Sequence, residues 1–385
     1  MPIKILTAID TLGMGGAEQL LLTLLPAINA LGHRVEIVAL SDWSPNLGPD
    51  FAASGVTTHF LHARGRFAFA QSIMGLRRLL AAGRYDLLWT HSRQSSMAGA
   101  IALAGRTLPH VATLHSVGYV QAGPLPLRAR VTTTLEGRLL ARCTKVAVSN
   151  AVVRDYGGFF GWPDIAVISN CFDPSTLPPP LADDEKREIR AQLDVRPDEF
   201  FLIVPARFVH VKGYPVLIEA LKLLRENRGW SPLALAFGQG PIKDEIAAAA
   251  TEAGVRLRLH ESAPQRDLFR FIRAADAVVL PSLRESFGLA ALEAMALGAP
   301  LVVSNADGLK EITEGRDCAL VVPAGDPDAL AGAIWDVYQN RADAAARVSR
   351  GLAVSRLYEL GPIASEWSAL FMRCIEECGR AERRA

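Results

Sequence analysis

Lys4-Ile5-Leu6-Thr7-Ala8-Ile9-Asp10-Thr11-Leu12-Gly13-Met14-Gly15-Gly16-Ala17-Glu18 sets a short apolar run against a glycine-rich turn, and a helical period follows over Ala17–Leu31. A buried strand, a tight loop and a helix make the opening half of a βαβ unit. Working outward, apolar runs of strand length recur at Ile3–Ile9, Val35–Leu40, Val56–Leu61, Asp86–Thr90, His110–Leu114, Val146–Ser149 and Ile165–Ile168. Helical stretches such as Ala17–Leu31 and Ala68–Ala82 separate several of them. Buried strands divided by helices predict right-handed crossovers and a mostly parallel sheet. Pro26 inside the first helix predicts a local kink.

From Asn170 to Pro180 the chain is turn-rich and closes on Pro178-Pro179-Pro180, which can neither continue a helix nor donate to a sheet. This is the expected linker. A second alternating series follows, with strands at Phe200–Val204, Leu233–Phe237, Leu257–His260, Ala277–Leu280, Leu301–Val303 and Leu320–Val322. Helices at Tyr214–Glu226, Ile242–Ala253, Gln265–Ala274 and Leu289–Leu297 fit between them. The expectation is an α/β chain of two Rossmann-like, doubly wound domains, 1–177 and 181–361. The helical stretch Pro362–Cys378, within a tail of 362–385, is expected to cross back onto the first. Ligands of such sheets sit outside the carboxyl ends of the strands, so two facing domains imply a central cleft.

The whole-chain numbers agree. A length of 385 residues exceeds one ordinary core. Lys and Arg number 41 against 40 Asp and Glu, which argues against a nucleic-acid partner. Five cysteines without a C-x-x-C pair argue against a disulfide framework or structural zinc, and Cys374 and Cys378, four apart, read as core. No apolar run approaches the ~18 residues that span a bilayer. The opening residues read as a strand rather than a signal peptide, so a cytoplasmic location is expected.

The neutral total hides an asymmetry. Residues 1–180 carry 15 basic against 10 acidic side chains, and the remainder 26 against 30. Between Arg64 and Lys145 stand twelve basic residues against only Asp86 and Glu136. Phe67 and Phe69 beside Arg64 and Arg66, with Arg77-Arg78 beyond, give apolar contacts next to cations. A set of solvated arginines is the bland reading. A face for anionic headgroups, peripheral on the inner side of the cytoplasmic membrane, is the sharper one.

Several loops carry the chemistry. Gly15 and Gly16 let a ligand approach the backbone before a helix N-terminus, although a dinucleotide fingerprint would need glycine where Glu18 stands. Asp42 lies near the place of a ribose-binding acid. In Pro205-Ala206-Arg207-Phe208-Val209-His210-Val211-Lys212-Gly213, Arg207 offers a planar fork and Lys212 a point charge, which suit a departing diphosphate. Gly238-Gln239-Gly240 is a phosphate-compatible turn. The strongest signal is Glu285-Ser286-Phe287-Gly288-Leu289 followed by Glu293 in an apolar helix. Eight residues is about two turns, so both carboxylates could address one elongated ligand. Glu293 among apolar neighbours needs a hydrogen-bonding partner such as a hydroxyl-rich ligand.

At these residues the chain resembles retaining glycosyltransferases of the GT-B fold, family four, the group 1 glycosyl transferases. Glu285 and Glu293 match that family's paired glutamates in register. Arg207 with Lys212-Gly213, the Gly15-Gly16-Ala17-Glu18 loop and His115 in Thr113-Leu114-His115-Ser116 match as well. The resemblance implies that Glu285 contacts the donor sugar and Glu293 the ribose. Arg207 and Lys212 would hold the diphosphate, aided by amides of Ser286, Phe287, Gly288 and Leu289 and by the Gly15-Gly16 loop. His115 would orient the donor sugar or the reacting centre. Two departures stand out: Ser169-Asn170-Cys171-Phe172-Asp173 replaces the family's Pro-Asn-Gly-Val-Asp, and Glu261-Ser262 replaces a glycine after the base-binding strand.

The implied reaction moves a hexosyl group, with retention, from a nucleotide-diphosphate-sugar to a hydroxyl acceptor, lipid-linked or a polysaccharide precursor. It would need no cofactor beyond that co-substrate and no metal, the two cations serving instead. A nucleotide-sugar epimerase would need an acid and base at a sugar C–H, which the sequence does not place. A non-catalytic nucleotide-sugar-binding protein would be expected to have lost Arg207, Lys212, Glu285 or Glu293.

Overall fold

The structure is a computed structural model and describes residues 2–13, 15–42, 46–118, 127–261 and 263–382. The chain divides into two compact units, Met1–Cys171 with Leu360–Ala385, and Phe172–Glu359.

The first unit holds seven strands: β1 (Lys4–Ile9), β2 (Arg34–Ala39), β3 (Thr57–Phe60), β4 (Leu87–His91), β5 (His110–Leu114), β6 (Thr144–Ala147) and β7 (Ile165–Val167). They form one parallel sheet in the order β3-β2-β1-β4-β5-β6-β7. The order reverses between β1 and β4, where Ile9 sits beside His91. That reversal is where a doubly wound sheet receives its ligand. The helix Gly16–Ala30 runs unbroken through Pro26.

The carboxyl-terminal helix Leu360–Glu382 belongs to this unit. Ile363, Trp367, Leu370, Phe371 and Cys374 share one face and join the core of the sheet. Trp89 of β4 anchors them, its ring 4.6 Å from that of Trp367 and 5.0 Å from that of Phe371. The fully buried indole N–H donates to the Thr113 hydroxyl at 2.8 Å, so no polar atom of Trp89 is stranded.

The second unit holds β8 (Phe201–Pro205), β9 (Leu233–Phe237), β10 (Leu257–His260), β11 (Ala277–Leu280), β12 (Leu301–Ser304) and β13 (Leu320–Val322). Their parallel order is β10-β9-β8-β11-β12-β13, with the reversal between β8 and β11. The passage between units falls at Cys171–Phe172, inside the expected Asn170–Pro180 stretch but ahead of its prolines. The reason is local: Cys171 packs into the first core, while the Phe172 N–H donates to the Tyr358 carbonyl at 3.2 Å.

Candidate functional site

In the second unit the loops at the β8/β11 reversal are clamped to each other by backbone. Gly213 has φ +73°, and a Cβ there would collide with the Pro281 carbonyl, so only glycine lets the Lys212-Gly213 turn seat on the end of β11. The amide of Leu283 donates to the Val211 carbonyl at 2.8 Å. This seating brings together two side chains 73 residues apart: Lys212 Nζ donates to Glu285 Oε2 at 2.6 Å. Both are only about 17–18% exposed, and the Ser282 hydroxyl reaches the same carboxylate oxygen at 3.3 Å.

Arg207 emerges, exposed, from the loop after β8. That loop is pinned where the Tyr214 hydroxyl donates to the Ala206 carbonyl at 2.8 Å and the Phe208 amide to the Gln239 carbonyl at 2.9 Å. Gly238 and Gly240 serve the same seam, since a Cβ on either would strike the Ala206 or Phe208 carbonyl. The Gly238 N–H already donates to the His260 carbonyl at 3.1 Å.

Gly288, at φ +104°, turns the chain into the helix Leu289–Ala296, whose N-terminus has no side-chain cap. Phe287 is buried against Tyr358, and the preceding Ser286 is partly exposed. Glu293 lies in the second turn among buried Ala291, Leu292, Ala294 and Met295. Burial pushes its carboxyl up to about 7, a rise the hydrogen bond from Gln265 only partly offsets. That bond is long, 3.4 Å from Gln265 Nε2 to Glu293 Oε1. So the structure joins Lys212 to Glu285, whereas Glu293 answers to a different element, the helix Gln265–Ala274. Neither Ser282 nor Gln265 was singled out from the sequence, where nothing but their final placement marks them. Ser262 of the Glu261-Ser262 pair lies outside the described residues.

The first unit makes its own arrangement at the β1/β4 reversal. Gly15 caps the helix Gly16–Ala30 with backbone alone, and Met14 lies outside the described residues. Asp10, at the end of β1, accepts from the Ser95 amide at 2.7 Å and the Gln94 amide at 3.4 Å, which ties the loop to the helix Arg93–Ala102. Burial raises its carboxyl despite those donors. His115, just past β5, meets His91 Nδ1 through Nε2 at 2.8 Å. Burial holds His115 down at about 4 and His91 well below its ordinary value, so both rings are neutral at pH 7. His91 Nε2 is buried without a hydrogen-bond partner among the described residues. His91 escaped the sequence reading because its only signal was the end of a strand.

Asp42 is occupied, accepting from His62 at 2.6 Å and from Arg64. The basic stretch is likewise less free than its count. Arg64 pairs with Asp42, and Arg93 pairs at 2.7 Å with the buried Glu136. Lys145 is buried and donates to the Leu140, Ala141 and Cys143 carbonyls. Phe69 packs on the core, which corrects its reading as an interfacial ring, and the side chain of Arg128 lies outside the described residues. Phe67 is 59% exposed, with the Arg66 guanidinium 4.7 Å over its ring.

Among the described residues, no group of three or more His, Cys, Asp or Glu side chains is placed to hold a metal ion. Nor is any helix among them long and apolar enough to cross a membrane.

Comparison with known proteins shows the family and the fold. The family model described as Glycosyl transferases group 1 matches residues 185–351, and that described as Glycosyltransferase Family 4 matches residues 14–176. A D-inositol 3-phosphate glycosyltransferase of Arthrobacter sp. (strain FB24) is 30% identical over 345 residues, 80% of this chain and 78% of the relative. One from Xylanimonas cellulosilytica is 29% identical over 306 residues, 76% of this chain and 72% of the relative. The structure of Anabaena HepE, solved in complex with UDP, superposes with a TM-score of 0.82 at 20% identity, over 96% of this chain and 100% of that one. The fold is that of the GT-B glycosyltransferases.

Proposed function

Since the chain belongs to the group 1 glycosyl transferases of family 4, we propose that it transfers a sugar, with retention, from a nucleotide-diphosphate-sugar to a hydroxyl acceptor. The observation that carries this reading is the Lys212–Glu285 pair at the β8/β11 reversal, where the exposed Arg207 follows β8 and a helix without a side-chain cap follows β11. A diphosphate accepts charge-assisted hydrogen bonds from Arg207 and Lys212 and further bonds from the amides after Gly288. Glu285, already oriented by Lys212 and Ser282, is placed to accept from sugar hydroxyls. Glu293 gains in the ribose hydroxyls the donors that Gln265 supplies only at long range.

The step breaks the bond between the anomeric carbon and the diphosphate oxygen. The acceptor hydroxyl adds from the same face, and its proton passes to the departing diphosphate. Charge grows on that leaving group in the transition state, so fixed cations are the main source of acceleration and no metal is called for. Lys212→Ala and Arg207→Ala are each expected to lower turnover on the order of a hundredfold, ~3 kcal/mol, with less change in donor affinity. Incubation with a panel of nucleotide sugars, following free nucleoside diphosphate with and without hydroxyl acceptors, checks the activity itself. Acceptor-independent sugar interconversion, or binding without turnover, would sink transfer.

The acceptor reading is a lipid-linked or polysaccharide precursor, met at the cytoplasmic membrane face. Its support is the exposed set Arg66, Phe67, Met74, Arg77 and Arg78. Each basic residue near an anionic surface contributes about 1 kcal/mol. Co-sedimentation with anionic but not neutral vesicles, fading as salt rises, is expected. Equal partitioning to both would leave a soluble acceptor.

A further inference from the structure

At the end of the first sheet opposite to the β1/β4 loops, the starts of β5 and β6 frame a cavity of about 650 Å³. Its walls come from the turn after the helix Arg93–Ala102, the end of the helix Leu127–Leu140 and the carboxyl-terminal helix. Three arginines line it, Arg106, Arg138 and Arg142, and all three are exposed. Among the described residues none of the three forms an ion pair, while Arg64 and Arg93 of the same basic stretch do. Glu377 is the acidic residue on the wall, so the lining keeps a net positive charge. The floor is already satisfied. Cys143 Sγ lies 2.9 Å from His110 Nδ1, His110 Nε2 meets the Thr90 hydroxyl at 2.9 Å, and Cys374 Sγ reaches the Thr144 hydroxyl at 3.5 Å. The unsatisfied hydrogen-bonding capacity of the cavity therefore sits on its guanidinium rim. Planar forks of this kind match phosphate oxygens two at a time, and the volume suits a small molecule.

We propose that this cavity is a second ligand site, at the end of the first sheet opposite its β1/β4 loops, which binds a phosphate-bearing polyanion through Arg106, Arg138 and Arg142. The phosphate is either free in solution or the headgroup of a phospholipid, and the two share one recognition chemistry.

The cavity carries its own reporter. Cys378 lines it and is the one cysteine of the five that is not buried. Burial pushes the thiols of Cys143, to about 12, and Cys374 up, which leaves both unreactive. The test is the rate at which a thiol-specific disulfide reagent labels Cys378 in the full chain. Pyrophosphate should slow labelling saturably, at least fivefold, where sodium chloride at equal ionic strength does not. In the Arg106→Gln/Arg142→Gln variant that protection should vanish. Protection by phosphatidylglycerol vesicles but not by pyrophosphate, again lost in the variant, would identify the headgroup as the source. No protection by either probe, or equal protection in the variant, would overturn the proposal. The melting temperature of the variant without ligand shows whether it is folded. If it is not, Arg106→Lys/Arg142→Lys, which keeps the charge but loses the forks, should still weaken protection severalfold.

Discussion

Two glutamates with apolar surroundings, one in each unit, have been driven in opposite directions. Glu36, near the start of β2, is 4% exposed and accepts from Tyr85 at 2.6 Å, His59 at 2.9 Å and Lys4 at 2.9 Å. Burial alone would raise its carboxyl, but those three donors win and hold it at about 2. Glu293 has burial without the donors, one long bond from Gln265, and stands at about 7. The difference is completeness. Glu36 lies at the end of its sheet away from the loops, with every demand met by the protein, which is what a structural carboxylate looks like. Glu293, in the helix that follows the loop after β11, has only that one long bond from the protein, which leaves room for the ribose contact proposed above.

The largest effect should come from breaking the satisfied side. Glu36→Ala leaves the Lys4, His59 and Tyr85 donors converging on nothing, and loss of one partner from a buried pair costs about 3–5 kcal/mol. Lys4 is 25% exposed and can rehydrate, which favours the lower figure. Chemical denaturation at pH 7 measures it. The pH sign follows from the depressed value. Glu36 contributes stability above about 4.5, and that contribution is lost as pH falls through about 2. A Glu36→Ala variant as stable as the wild type at pH 7 would make the network ornamental.

Glu293→Gln should act in the opposite sense. The folded carboxyl keeps its proton up to about 7, whereas the unfolded one releases it near 4.5. Stability therefore falls as pH rises between those values, and the loss is complete above the higher one. The amide removes the penalty. At pH 8 the variant should be more stable by about 2–3 kcal/mol, and at pH 4 unchanged. Unfolding curves at both pH values check this. A destabilised variant at pH 8 would mean that the carboxylate is held by donors as Glu36 is.

How much of this the sequence showed depends on distance along the chain. Strand ends followed by glycine-rich turns were plain, and so were Arg207, Lys212, Glu285 and Glu293, because each marks a motif within fifteen residues of its neighbours. The Lys212–Glu285 contact was not, since it rests on Gly213 seating against Pro281 across the sheet reversal. Nor was the Gln265 contact, made 28 residues from Glu293. A linear charge count also treated Lys145 as surface, although it is buried in β6, where three consecutive residues are covered, and donates to the Leu140, Ala141 and Cys143 carbonyls. The helices Pro327–Gln339 and Arg341–Ser355 escaped notice because alanines and scattered valines blur the apolar period.

The finest test of the comparison is the pH dependence of nucleotide binding. If ribose hydroxyls donate to Glu293, only the ionised carboxylate can accept both, and binding must draw off the proton. With the free group at about 7, the competent form is a minority at pH 6 and the great majority at pH 8. Affinity for a nucleoside diphosphate should therefore rise with pH over that range, by about tenfold, or 1.4 kcal/mol. Titration calorimetry in buffers of different ionisation enthalpy would register the released proton. The diphosphate's own last ionisation also lies near 6, so the decisive measurement is the difference between wild type and Glu293→Gln. The variant should bind about tenfold more weakly at pH 8 and, because that ionisation is common to both proteins, show the flatter profile. Parallel profiles would show that ligand binding leaves the Glu293 proton in place, and Glu293 would then be as structural as Glu36, only less well satisfied.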